Sequence, residues 1–249
     1  MPPATVIIPG LLDHAASVLD LVFPRHCAAC GGVVDRPEGH VCWECFRGIE
    51  LRGDSAACDR CGLRVEGPVQ HAFLCSVCRD NEPAFERARS AGRFGGVLRE
   101  LLLQFKYGRA TWLRDDLAGI LHGCVLADFA CAEVDAVVPV PLHSVKQRHR
   151  GYNQAALLAG EIARRLERPY VGDALARIRP TPTQTRLDAA ARRRNVRGAF
   201  SVPAAEWVRG RTVLLVDDVM TTGATLDAAS AALRQAGAWR VWAATVARG

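Results

Sequence analysis

Asp217 and Asp218 stand side by side after an apolar run, Val213 to Val216, and lead into Val219, Met220, Thr221, Thr222, Gly223, Ala224 and Thr225. Two neighbouring carboxylates can accept hydrogen bonds from paired sugar hydroxyls, while Thr221, Thr222 and Thr225 offer hydroxyl donors. A strand that hands over to a helix through Gly223 leaves unpaired backbone N–H groups at the helix start, which favour a phosphate. Open parallel sheets bind ligands beyond the carboxyl ends of their strands, so the position suits these residue types. The chemistry indicated is capture of a phosphorylated sugar. A purely structural reading, in which Asp218 and Thr222 cap the helix, competes with it. No Gly-x-x-x-x-Gly-Lys-Ser/Thr occurs, which excludes a P-loop nucleotide site.

The second group of reactive residues is thiols. Eight of the ten cysteines form Cys-x-x-Cys pairs, Cys27/Cys30, Cys42/Cys45, Cys58/Cys61 and Cys75/Cys78, with 11, 12 and 13 residues between successive pairs. Such a turn puts two sulfurs on one side of a knuckle, and two knuckles close a tetrahedral zinc site. Four knuckles therefore make two sites, paired either in sequence order, which closes the shorter loops, or crossed. Four thiolates leave no open position for water or substrate, so both zinc ions are structural. Redox dithiols fit the pattern less well, since they use a single pair at a helix start. His26, His40 and His71 lie nearby as surface or supporting groups, and Cys124 and Cys131 read as small packing residues.

Around these groups the chain divides into three parts. Residues 1–24 carry an amphipathic helix, with Leu11, Leu12, Ala15, Val18, Leu19 and Val22 at helical spacing. Residues 25–80 are Gly-rich and lack long periodic segments, so metal supplies their core. Residues 81–249 alternate strands and helices, with apolar strands near Asp135–Leu142, Thr212–Val216 and Arg240–Val246. Arg79–Arg93 reads as the connection between the second and third parts. Continuous apolar strands imply a parallel sheet covered on both faces, an α/β fold with a small zinc domain in front. No apolar run reaches membrane-spanning length, and no cationic start precedes an early apolar stretch, which places the protein in the cytoplasm. The net charge of +6 is uneven: from Lys146 to Arg197 thirteen Lys or Arg face four Asp or Glu, a surface for anions.

The stretch from Val213 to Thr225 resembles the binding motif for 5-phosphoribosyl 1-pyrophosphate (PRPP) of the type I phosphoribosyltransferases, with Asp217 where many members have Glu. Further matches are Lys106-Tyr107, Val138 to Leu142, Arg148 to Gln154, Thr183-Gln184, Arg192 to Asn195 and Gly198 to Phe200. With the zinc knuckles in front, the chain resembles the ComF family, which includes ComFC and GntX-type proteins. The resemblance implies that Asp217 and Asp218 bind the ribose hydroxyls as the catalytic pair, and that Val219 to Thr225 hold the 5-phosphate. It implies that Lys106, Leu142, Lys146, Arg148, Arg150, Arg192 and Arg193 belong to the pyrophosphate and flexible loops. Mg accompanies PRPP, and the acceptor is unnamed. A role in DNA uptake during natural transformation, with single-stranded DNA and uptake proteins as partners, and a homodimer are also implied.

Two alternatives to catalysis stay open: a PRPP sensor without turnover, and a single-strand-binding competence protein. Against the latter, Cys27 to Cys78 carries five Arg and seven acidic residues, and the basic belt holds only Tyr152 and Tyr170 for stacking.

Overall fold

A computed structural model of the chain describes residues 24–36, 38–53, 56–65, 67, 72–179, 196 and 198–249. The helix expected in residues 1–24, His71, Thr183-Gln184 and Arg192 to Asn195 lie outside the described residues. The chain forms two compact units, Met1–Gly48 and Ile49–Gly249.

The described part of the first unit is a zinc knuckle pair. His26 and Val33 bridge in antiparallel fashion around Cys27 and Cys30, and the short helix α1 (Trp43–Arg47) follows Cys42.

The second unit opens with a matching pair. Ala57 and Arg64 bridge around Cys58 and Cys61, and the short helix α2 (Ser76–Asp80) follows Cys75. Beyond it lies a parallel sheet in the order β1 (Arg87–Arg93), β6 (Arg240–Arg248), β5 (Thr212–Met220), β2 (Ala136–Pro139). A separate antiparallel pair joins β3 (Ala176–Arg177) to β4 (Phe200–Ser201). The helices are α3 (Gly96–Tyr107), α4 (Arg114–Asp128), α5 (Ser144–Arg150), α6 (Gln154–Leu166) and α7 (Ala224–Gln235). Residues alternate faces along a strand, so both faces of β5 need cover. Val213 and Leu215 cluster with Leu226, Ala229 and Leu233 of α7, whereas α6, which also packs on α4, lies against β5 and β2. The same cluster takes in Cys58, Cys61, Cys75 and Cys78, so the second knuckle pair is part of the core of the sheet unit.

Two local readings change. Arg79–Arg93 is not only a connection, because β1 lies inside it and pairs with β6. Its buried positions are Ala88, Arg89, Ser90, Ala91 and Gly92, small or polar residues that give no apolar signal. Arg89 is tolerated there because its guanidinium donates to the carbonyl of Asp59 at 2.9 Å and to the Asp128 carboxylate at 3.3 Å. The segment after Leu142 is a helix rather than a loop. His143 Nδ1 accepts the Val145 N–H at 3.4 Å, and Gly151 at φ +87° ends the helix.

Among the described residues no helix is long and apolar enough to cross a membrane.

Candidate functional site

The carboxyl ends of β2, β5 and β6 lie together because the three strands are parallel, and β5 runs two residues past the paired acids. Asp218 donates its N–H to Asp217 Oδ1 at 2.8 Å, and Val219 donates to Asp218 Oδ1 at 2.8 Å. Both side chains are thus fixed against the strand. Asp218 is buried, and its Oδ2 lies 2.7 Å from Nζ of Lys106 in the last turn of α3. Burial pushes Asp217 up to about 6, against the opposing pull of Lys106, Arg177 and Arg150. Burial likewise brings Lys106 down to about 8, with Asp217 working to raise it and Arg150 to lower it. Tyr152 donates its hydroxyl to the carbonyl of Phe105, which ties the Lys106 turn to the start of α6.

The turn after β5 needs its glycine. Gly223 sits at φ +78°, and a Cβ there would lie 2.7 Å from Met220 Cε. Among the described residues the backbone N–H groups of Thr221, Thr222 and Gly223 make no hydrogen bond, while Thr222 Oγ1 accepts the Ala224 N–H at 3.4 Å. Asp218 does not cap α7. Asp227 steadies the turn from behind: its N–H donates to the Gly223 carbonyl at 2.8 Å and its Oδ1 accepts the Ala84 N–H at 2.8 Å. An open row of donors at a helix start, with hydroxyls beside it, suits an anion.

Cations stand on the β2 side. Arg150 bonds Gln154 Oε1 at 2.6 Å and lies over the Tyr107 ring at 5.1 Å. Lys146 stands on α5, where partial desolvation and then the charges of Arg177 and Arg150 make its ammonium release its proton more readily. Leu142 lies between β2 and α5, where Asn153 Nδ2 donates to the Val140 carbonyl at 3.1 Å and holds the connection. Arg148 is exposed on α5, with no bond to the acid pair among the described residues. Sequence reading missed Arg177, which is lowered by burial and raised by Asp217. Its place inside the basic belt from Lys146 to Arg197 is visible in the sequence, but its position at the β3–β4 pair is not.

In both cysteine groups all four Sγ atoms lie within 4.8 Å of one another: Cys27, Cys30, Cys42 and Cys45 in one, Cys58, Cys61, Cys75 and Cys78 in the other. Pairing therefore follows sequence order. The bonding repeats: Cys42 donates its N–H to Cys27 Sγ at 3.3 Å, and Cys75 to Cys58 Sγ at 3.4 Å. Burial works to raise the Cys27 thiol, but N–H donors of Cys42, Cys30 and Ala29 bring it down to about 6. Burial and the N–H donors of Cys61, Cys75 and Arg60 oppose each other in the same way at Cys58, which ends at about 7. Cys45 and Cys78 are pushed far up, by burial and then by neighbouring sulfurs. Four sulfurs at this spacing fit structural zinc.

The family described as a phosphoribosyl transferase domain matches residues 153–249, and that described as a double zinc ribbon domain matches residues 18–80. Competence protein F of Haemophilus influenzae is 32% identical over 219 residues, covering 86% of this chain and 93% of its own. The DNA utilization protein YhgH of Escherichia coli K12 is 32% identical over 232 residues, covering 89% and 97%. Competence protein ComFC of Bacillus subtilis is 24% identical over 214 residues, covering 85% and 78%.

Proposed function

Since the chain belongs to the competence protein F family, we propose that its larger unit binds PRPP and transfers the phosphoribosyl group to an acceptor in support of DNA uptake. One observation carries this reading: Asp217 and Asp218 stand beside a turn whose N–H groups make no hydrogen bond among the described residues, with Lys106, Arg150 and Arg177 gathered near them. In this reading Asp217 and Asp218 accept the ribose 2- and 3-hydroxyls, and the turn Val219 to Thr225 takes the 5-phosphate through its N–H and hydroxyl donors. Lys106 yields Asp218 to the sugar and moves toward the phosphates. Lys146, Arg150 and Arg177 face the departing pyrophosphate, and fixed cations of this kind stabilise developing negative charge. Mg bound together with PRPP would neutralise part of that charge. The paired carboxylates favour the positive charge that grows on the ribose carbon.

Calorimetric titration of the zinc-loaded chain with Mg-PRPP tests the reading. The wild type should give a saturable heat, and the double variant Asp217→Asn, Asp218→Asn should lose at least tenfold in affinity. Equal heats from the two proteins would remove the sugar-hydroxyl assignment.

A nucleic-acid role draws on the relatives' names and on the exposed basic face of α5, with Lys146 and Arg148. Phosphate-backbone binding falls steeply with salt. Single-strand affinity that falls in this way, and falls further in Lys146→Gln, Arg148→Gln, would support it. Tight Mg-PRPP binding with no pyrophosphate released under any acceptor would favour a sensor.

A further inference from the structure

On the flank of β5 opposite the pyrophosphate-facing cations, β6 and β1 end side by side. Arg93 stands opposite Arg248, and Arg248 opposite Met220, in one row across three strands. Neighbouring strands are about 4.8 Å apart, so the row spans about 10 Å, the length of a small molecule. A cleft of about 420 Å³ opens there, within the range of small-ligand sites. Arg52, Arg64, Arg93 and Arg248 line it with the ring of Phe94, and among the described residues no acidic side chain does.

The charges of these arginines are unequally matched. Arg52 pairs with Asp128, and Arg248 rests on the Cys61 carbonyl at 2.5 Å and faces its sulfur at 3.7 Å. Arg93 pairs with Glu50 at 3.1 Å, but both side chains are exposed and such a pair rearranges at little cost. Arg64 is exposed, and among the described residues its side chain holds only the Leu51 carbonyl at 2.7 Å, a neutral acceptor. The Nε of Arg52 is buried and has no hydrogen-bond partner among the described residues. A concave site with a ring on one wall and guanidinium donors left over recognises a planar group bearing an oxyanion.

The cleft also shares a wall with the sugar site. Gly249 donates its N–H to the Met220 carbonyl at 3.0 Å. A Cβ at Gly249 would lie 3.5 Å from Thr221 Cγ2 and 3.7 Å from Phe94 Cβ. Resting on the PRPP reading above, the geometry points to this cleft as the acceptor pocket, for a small ring compound carrying a carboxylate or phosphate. Pyrophosphate then lies on the β2 flank and the acceptor enters on the β6 flank, on opposite sides of the sugar. A displacement at the ribose C1 needs that arrangement. The acceptor's nucleophilic atom bonds to C1 as the C1–O bond breaks. The electron pair leaves with pyrophosphate, and the acceptor's proton passes to water.

Ligand-observed NMR on the zinc-loaded full chain with benzoate, phenyl phosphate and benzamide tests the assignment, since the three share a ring and differ in charge. At least one of the two anions should bind ten times more tightly than benzamide. The variant Arg64→Gln, Arg93→Gln should abolish that preference and keep the calorimetric heat with Mg-PRPP. The pair of anions distinguishes carboxylate from phosphate recognition. Equal binding of all three, or none while Mg-PRPP binds, overturns the pocket, as does an Arg64- and Arg93-dependent signal from oligothymidylate alone. An anion preference in a wild type that gives no Mg-PRPP heat overturns the acceptor role together with the PRPP reading and leaves an oxyanion site.

Discussion

The two knuckle pairs share ligand spacing and backbone hydrogen bonds, yet they stand in different surroundings. In the first pair Cys30 is exposed and Cys45 half-buried, and the group belongs to the compact unit Met1–Gly48. In the second all four cysteines are buried within the core cluster of the sheet unit. Gly31 meets nothing within 4 Å of a built Cβ, whereas the corresponding Gly62 would meet the Ala88 carbonyl at 3.0 Å. The Arg60 carbonyl accepts the Ala88 N–H of β1 at 2.7 Å, and Arg248 at the end of β6 joins the Cys61 carbonyl to Met220 Sδ, 3.5 Å away. The same zinc chemistry is a local staple in one place and part of a larger core in the other. Ligand spacing sets the metal site, and the residues around the knuckle decide what else depends on it.

The sharpest way to break this contrast is to remove one ligand from each pair. Cys61→Ser should lower the melting temperature of the sheet unit by more than about 10 °C and abolish the Mg-PRPP heat, since structural zinc contributes on the order of 10 kcal/mol to folding its site. Cys30→Ser should leave that heat intact. Comparable losses from both would mean the pairs are equivalent.

A chelator titration should resolve the same difference without mutation. Zinc leaves the less buried first pair early with PRPP binding preserved, and the second phase of release coincides with loss of binding. A single phase would contradict it.

The link from knuckle to phosphate turn can be strained from its far end. Gly223→Ala puts a Cβ against Met220 in a backbone that L residues rarely adopt, at a cost of about 1–3 kcal/mol. Mg-PRPP affinity should fall at least tenfold with zinc content unchanged. Arg248→Gln removes the charged hydrogen bond to the Cys61 carbonyl, lowering stability by about 1.5–3 kcal/mol and PRPP affinity only several-fold, as read by denaturant unfolding and calorimetry.

The smallest effect is a pH dependence. Asp217 titrates near 6, above its ordinary value of 3.8, so the folded form holds its proton longer than the unfolded chain. Raising the pH from about 4 to 6 therefore costs stability through this group, and above 6 the cost is constant. A ribose hydroxyl donates best to the ionised form, so Mg-PRPP affinity should rise several-fold from pH 5 to 7 and then level. The Asp217→Asn variant should lack that rise in calorimetry.

Where one residue type carries the signal, the sequence was readable. The cysteine spacing announced both metal sites, and the apolar run before Asp217 announced β5 and its turn. What stayed hidden depends on partners distant in the chain. β1 is built from Arg, Ala, Ser and Gly, and it is a strand only because β6 pairs with it and Asp128 receives Arg89. The α5 segment reads as a basic loop until His143 and Gly151 are seen to bound it. Arg177 takes its place in the β3–β4 pair, and the hold of Lys106 on Asp218 spans more than a hundred residues. Spacing along the chain has no access to contacts of this kind.

The most direct test is a crystal structure of the zinc-loaded chain grown with Mg-PRPP. The account predicts the ribose hydroxyls on Asp217 and Asp218, the 5-phosphate against the N–H groups of Thr221 to Gly223, and Lys106 moved off Asp218. PRPP bound elsewhere, or a turn left empty with Lys106 still on Asp218 at saturating ligand, would contradict it.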